Sequence, residues 1–535
     1  MPWYNENARS TSGTTLRARD PSPLSGMCPI CVRDCQILCE VGKSAFRGRE
    51  VLYPSPEWFG VSTAASNKDY LLNWSDLQIQ VDVVGAHGIA ADSDSAIFPN
   101  ADVTTTAGGI PLKVPVIIPG LGSTEVARRF WDGLAIGAAM SGVILTVGEN
   151  VCGMDSRSQY NGDGRVTESP DLATRISTYR KYWDGTHGDI VVQTNVEDIR
   201  SGVDVYAIKA LGARTIERKW GQGAKAIGGE VRVADLDKAI ELKRRGYIVI
   251  PDPEEDVVQE AFREGVFRTF ERHSRVGMPD ERSFVEDVDW LREQGAERVF
   301  LKTGAYNPAV VAFTLRCASQ AKIDLLTFDG GGGGTGMSPV PMMNECSIPT
   351  VYLLAQVLKG VRILREKDKH VPDIAIAGGF VNETQVYKAI AMSNFGDGRG
   401  PVVKVVGMAR APLTAAMKSS YFVDLAKEGK LPKSFTKLYG DRPEQFFIAG
   451  AELRRDYGDG AVGRDIPWTA VGVHTFLSDR LAVGLQQLLA GSRKWKLELI
   501  ARDDLASLTE RCAKVTGIPL VEDAQQEVFA NILDF

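Results

Sequence analysis

The sequence predicts an α/β protein built on a closed (β/α)8 TIM barrel, with a cysteine-rich segment ahead of it and a helical extension behind. Three observations lead there. Eight short Val/Ile-rich runs recur between residues 113 and 410, most of them end in glycine or polar residues, and longer amphipathic stretches separate them. Apolar runs without alternation suit strands buried on both faces, and helical links between them imply right-handed parallel crossovers. Eight such units favour closure into a barrel over an open sheet.

Residues 1–25 are rich in Ser, Thr, Arg, Asn and Pro and read as a disordered or extended tail. Residues 26–110 hold a cysteine cluster and an irregular lead-in. The barrel is expected over 111–425, with strands inside Lys113–Leu121, Gly142–Glu149, Asp189–Asn195, Arg214–Trp220, Glu297–Gly304, Ile323–Gly331, Pro372–Gly379 and Val402–Arg410. Between the first two runs Ala127, Phe130, Trp131, Leu134, Ala138 and Met140 recur at helical spacing, and Asn382–Met392 does the same after the seventh. A long insertion, about Gly221 to Ala296, joins the fourth and fifth runs, with helices expected at Asp235–Arg245 and Glu254–Arg272. The extension, 426–535, is expected to be helical at Ser478–Leu489 and Leu505–Thr516 and to offer an oligomer surface, so a homo-oligomer is expected.

A net charge of -6 with dispersed basic residues gives no reason to expect a nucleic acid or an anionic membrane as partner. The first twenty residues are polar, unlike a secretion signal, and the longest apolar run, Ile136–Val147, is too short to cross a bilayer. A cytoplasmic enzyme with a small-molecule substrate is the expectation.

Barrels place their chemistry at the C-terminal ends of strands. Those ends carry Gly120, Glu149, Gln193, Lys219 with Gln222 and Lys225 just beyond, Lys302, the run Asp329–Pro339, Gly378 and Gly379, and Gly407-Met408-Ala409. The opposite ends are bland. Buried charge at a strand end is costly unless it meets a ligand or a partner. Five successive glycines, Gly330 to Gly334, followed by Thr335, break any regular element. They serve close backbone approach or positive φ, and their N–H groups can hold a polar ring or an anion. Gly378, Gly379 and Gly407 end the last two runs, where barrels build a phosphate site. Together with the glycine run, Gly332, Gly333 and Gly334 above all, they point to a phosphorylated cofactor. FMN fits better than a nicotinamide because no G-x-G-x-x-G opens a helix after a strand. Lys302 would lie near the N1–C2 edge of a flavin, where a cation stabilises the anionic reduced form.

Four of the eight cysteines form the series Cys28-x2-Cys31-x3-Cys35-x3-Cys39. So tight a cluster in a large chain suggests metal binding rather than a disulfide framework. An iron–sulfur cluster is the first reading and zinc the alternative. On one continuous helix Cys31 and Cys39 would stand about 12 Å apart, so either Pro29 and its neighbours break the helix or only three of the four ligate. A one-electron feeder beside a flavin makes chemical sense. The five histidines are dispersed without metal spacing, and only His187 invites a test.

At these strand ends the sequence resembles the FMN domain of glutamate synthase. Val147-Gly148-Glu149-Asn150 is similar to that family's Thr-Gly-Glu-Gly. Glu217-Arg218-Lys219-Trp220-Gly221-Gln222-Gly223-Ala224-Lys225 is similar to its Glu-Ile-Lys-Leu-Ser-Gln-Gly-Ala-Lys, and Asp329–Pro339 to its Gly-Gly-Thr-Gly-Ala-Ser-Pro loop. The resemblance, over about residues 110–420, implies that Lys302 touches the flavin and that the sixth to eighth loops bind FMN. It also implies that Glu149, Lys219, Gln222 and Lys225 face the substrate. The implied reaction delivers a hydride from flavin N5 to an imine carbon, turning a 2-oxo acid and ammonia into an amino acid. Three departures stand out. The family's glutaminase nucleophile is a cysteine after the initiator Met, whereas Pro2 stands here, so ammonia is expected from solution or another subunit. The family's iron–sulfur cysteines follow the last strand, yet only Cys512 lies beyond Arg410. Finally, Gly229–Pro279 does not read like the family's stretch, which helps hold the oxo acid. An FMN and iron–sulfur enzyme for a different small metabolite, or an electron-transfer subunit of a larger complex, is the alternative.

Overall fold

The structure, a computed structural model, describes residues 45–49, 70–223, 225, 227–228, 230–334 and 338–535; the expected tail and the four clustered cysteines lie outside them. Eight strands close into a barrel in chain order. They are β1 Val116–Leu121, β2 Ile144–Val147, β3 Ile190–Thr194, β4 Thr215–Lys219, β5 Arg298–Thr303, β6 Leu325–Asp329, β7 Asp373–Ala377 and β8 Val403–Gly407. Every neighbour pair is parallel, and β8 returns to β1 by pairing Val406 with Val116 and Gly407 with Ile117. All eight lie within the expected runs.

The barrel interior changes character along its axis. Its floor is Ile117, Ile144, Val191, Phe300, Leu325, Ala375 and Val405, closed from below by Ala107, Ile110 and Leu112 of a hairpin (Thr105–Ala107 with Ile110–Leu112). Gly108 turns that hairpin at φ +54°, and a Cβ there would stand 2.6 Å from the Phe300 ring. Side chains two residues apart share a face of a strand. Two positions further along, the buried residues are Thr146, Gln193, Glu217, Lys302 and Thr327. An apolar floor therefore leads into a polar mouth.

Helices clothe the barrel where local signals agree. Glu281–Gln294, for example, is capped by Asp280, buries Phe284, Val288 and Leu291 on one face, and stops at Gly295 with φ +110°. The helix Trp131–Met140 is buried almost throughout because a second helix, Trp468–His474, packs over it. Gly133 and Gly137 permit that approach: a Cβ on either would come within 2.6 Å of Thr469 or Val473. Among the described residues no helix is long and apolar enough to cross a membrane.

Two expectations need correction. The helix expected over Glu254–Arg272 covers only Asp256–Arg263; Gly265, at φ +74°, stops it, and Phe270–His273 becomes the central strand of an antiparallel sheet with Glu230–Val233 and Ile248–Ile250. Likewise Leu505–Thr516 is not one helix. Leu505–Ser507 pairs antiparallel with Leu77–Ile79, and the helix begins only at Glu510, capped by Thr509. The lead-in and the C-terminal extension are thereby stitched together.

Candidate functional site

At the mouth Lys219, the last residue of β4, donates to Glu149 Oε1 at 2.5 Å and to Gln222 Oε1 at 2.9 Å. Burial alone would raise the Glu149 carboxyl, but the Lys219 ammonium outweighs it and holds the group down at about 2. Lys225 is buried beside Glu230, 3.5 Å from its carboxylate; desolvation lowers its ammonium to about 8 despite that partner. One layer deeper, Gln193 Nε2 donates to Glu217 Oε1 at 2.5 Å, and burial raises the Glu217 carboxyl although Lys302 opposes it. Gln193 Oε1 is buried without a hydrogen-bond partner. It lies against Gly120, where a Cβ would stand 2.7 Å from it. Lys302, 5% exposed, reaches Asp329 Oδ2 at 3.6 Å.

The glycine loops crowd together on the other side of the mouth. A Cβ on Gly332 would sit 2.8 Å from Gly378 O, and one on Gly378 would sit 2.7 Å from Gly330 O. Gly378 and Gly379 have φ of +108° and +91°, which L side chains resist. Thr350 Oγ1 donates to Gly378 O at 2.7 Å, and Arg410 Nη2 donates to Gly332 O at 2.9 Å. Beside Gly379 there is open space, for a Cβ there would meet only Gly332 Cα at 3.8 Å. Arg410 begins an 18-residue helix, and burial lowers its guanidinium from the usual range. Alongside, a cleft of about 340 Å³ runs between these glycines, Thr350, Asn382, Gln385 and the Tyr70–Ser75 segment.

The expected residues thus come together from every side: Gly120, Glu149, Gln193, Lys219, Gln222, Lys225, Lys302, Gly332, Gly333, Gly334, Gly378, Gly379, Gly407, Met408 and Ala409 all stand at or just beyond the C-terminal strand ends. Thr335 lies outside the described residues, as do Cys28, Cys31, Cys35 and Cys39. Among the described residues no group of His, Cys, Asp and Glu could hold a metal ion. His187 is not at the mouth: it precedes β3, at the opposite end, and pairs with Asp184 at 3.0 Å. Missing from the expected set are Glu217 and Arg410, and the insertion's Glu230, Tyr247, Arg272 and Ser274. Glu217 was within reach of sequence reasoning, because it precedes Lys219 by two residues on one strand face.

Residues 274–407 match the conserved region in glutamate synthase, a span that takes in β5 to β8 with Lys302 and the glycine loops. That half of the barrel carries a glutamate synthase-family region. Curated relatives agree over a short stretch: the archaeal-type glutamate synthase [NADPH] of Thermotoga sp. (strain RQ2) is 36% identical over 75 residues, and that of Thermotoga maritima likewise. Each match spans 14% of this chain and 14% of the relative. Among solved structures, a soluble mutant of (S)-mandelate dehydrogenase from Pseudomonas putida covers 81% of this chain and 88% of its own at 15% identity and a TM-score of 0.41. The flavin-binding domain of baker's yeast flavocytochrome b2 covers 86% and 81% at 12% identity and a TM-score of 0.43.

Proposed function

We propose that the chain is an FMN-dependent oxidoreductase of the glutamate synthase type, acting at the carbon–nitrogen bond of an imine or amino acid. The single observation that carries this reading is the convergence of Gly332, Gly378 and Gly379 with Lys302 on one polar mouth. The residues fit FMN. Gly378 and Gly379 keep backbone clear of any Cβ, the helix that Arg410 opens begins beside the same corner with its first side chain bonded to Gly332 O, and Gln193 Oε1 is a buried acceptor awaiting a donor. FMN, when bound, supplies the hydride acceptor and donor.

The chain's own groups bind, orient and hold protons. Gly379, Met408 and Ala409 would cradle the phosphate, and Lys302 would stabilise negative charge on the ring. Glu149 is a carboxylate at neutral pH and keeps Lys219 in place. Lys219 and Lys225 offer two cations to an anionic substrate, with Gln222 fixing the first. Cys28, Cys31, Cys35 and Cys39 would hold a metal centre, iron–sulfur before zinc, and a partner subunit would donate electrons or supply ammonia.

The test is anaerobic photoreduction of the FMN-loaded chain followed by 2-oxoglutarate with ammonium. Rapid reoxidation is the expected result. Indifference to that pair, with a response to another metabolite pool, would move the assignment to a different substrate; no response to any would leave an electron-transfer subunit. Iron and zinc analysis of anaerobically purified protein decides the metal.

A further inference from the structure

We infer that the insertion acts on the reaction through Asn150, clamping the loop that carries Glu149. The inference rests on Glu149 facing the substrate, as proposed above. Asn150 stands in the left-handed region at φ 64°, ψ 14°, where a glycine would cost less. The glutamate synthase motif this segment resembles has glycine at that position. Asn150 is held from three directions. Its backbone N–H donates to Asp198 Oδ2 at 3.0 Å, its Nδ2 donates to Ser274 Oγ at 3.4 Å, and its Oδ1 accepts from the Tyr247 hydroxyl at 3.3 Å.

Tyr247 and Ser274 both belong to the insertion, at the ends of two adjacent strands. Arg272, 1% exposed, ties them together: its Nη1 donates to Ser274 Oγ at 2.5 Å, and its guanidinium lies 4.9 Å over the Tyr247 ring. A glycine would satisfy the backbone alone, so the two side-chain bonds of Asn150 are what the insertion adds. They anchor the residue next to Glu149, whose carboxylate must meet Lys219 at 2.5 Å. Asn150, Tyr247 and Ser274 are positioning residues in this account.

The experiment uses the full chain with Asn150→Gly, Tyr247→Phe and the double substitution. Asn150→Gly suits the backbone, so its thermal midpoint should stay near that of the parent. With reduced FMN, 2-oxoglutarate and ammonium, kcat should fall about tenfold or more, as misplacement of a reacting group predicts. Backbone amides of residues 148–154 should exchange faster in the cofactor-free chain. Tyr247→Phe should shift both readouts in the same direction, and the double variant should be no worse than Asn150→Gly, since the two residues share one contact. Parental kcat and exchange in Asn150→Gly, or multiplicative effects in the double variant, would overturn the clamp. If the parent itself does not turn over this pair, the proposed substrate fails, while the exchange data still decide the clamp.

Discussion

Glu149 and Glu217 are carboxylates in one mouth, yet their proton affinities move apart. Both are penalised by burial, but only Glu149 has an ammonium in direct contact. Lys219→Met should therefore raise the Glu149 carboxyl, and the rate at which the proposed substrate reoxidises the reduced flavin should fall about 10²-fold with FMN binding retained; stopped-flow traces beside flavin titration check it. Lys225 makes a pH prediction. Lowered to about 8, it is cationic below that pH and neutral above, so kcat/KM for an anionic substrate should decline as pH rises through about 8. Lys225→Arg should remove that inflection, because a guanidinium stays charged throughout. Lys219 and Lys302 were legible as charges closing apolar strands. Glu217 was less so, because its role depends on which strand face meets the interior, and Arg218 beside it points outward to Asp204 and Asp287.

The glycine loops are the element most plainly written in the chain. A run such as Gly330 to Gly334 has no use in a regular element, and β6 places it beside Gly378. Gly378→Ala would force a Cβ against Gly330 O at an unfavourable φ, so FMN affinity should fall at least about tenfold while far-UV dichroism is unchanged; fluorescence titration with FMN measures it. The insertion was only half legible. Asp235 and the apolar stripe behind it mark the helix Leu236–Arg244, whereas Phe270–His273 follows a helix closely enough to be absorbed into its pattern. Its strand character is settled by partners that lie about 20 and 40 residues earlier in the chain, which no local window contains.

For the whole molecule, the barrel followed from eight repeated units, but the ring of contacts that joins its two ends did not. Leu77–Ile79 meets Leu505–Ser507 across the full length of the barrel sequence, and such short strands carry little signal of their own. Trp495 ties the extension to the lead-in at a second place: it is 1% exposed and donates from its indole to Ile97 O at 2.9 Å. Trp495→Ala should cost about 3–5 kcal/mol, read as a lower urea midpoint. Everything proposed for the mouth depends on one flavin sitting where the sixth, seventh and eighth loops meet Lys302. Equilibrium dialysis of the purified chain against FMN tests it most directly. One FMN should bind per chain, at least about tenfold more weakly in Gly378→Ala and more weakly in Lys302→Gln; a parent chain that stays colourless and binds none would overturn this placement.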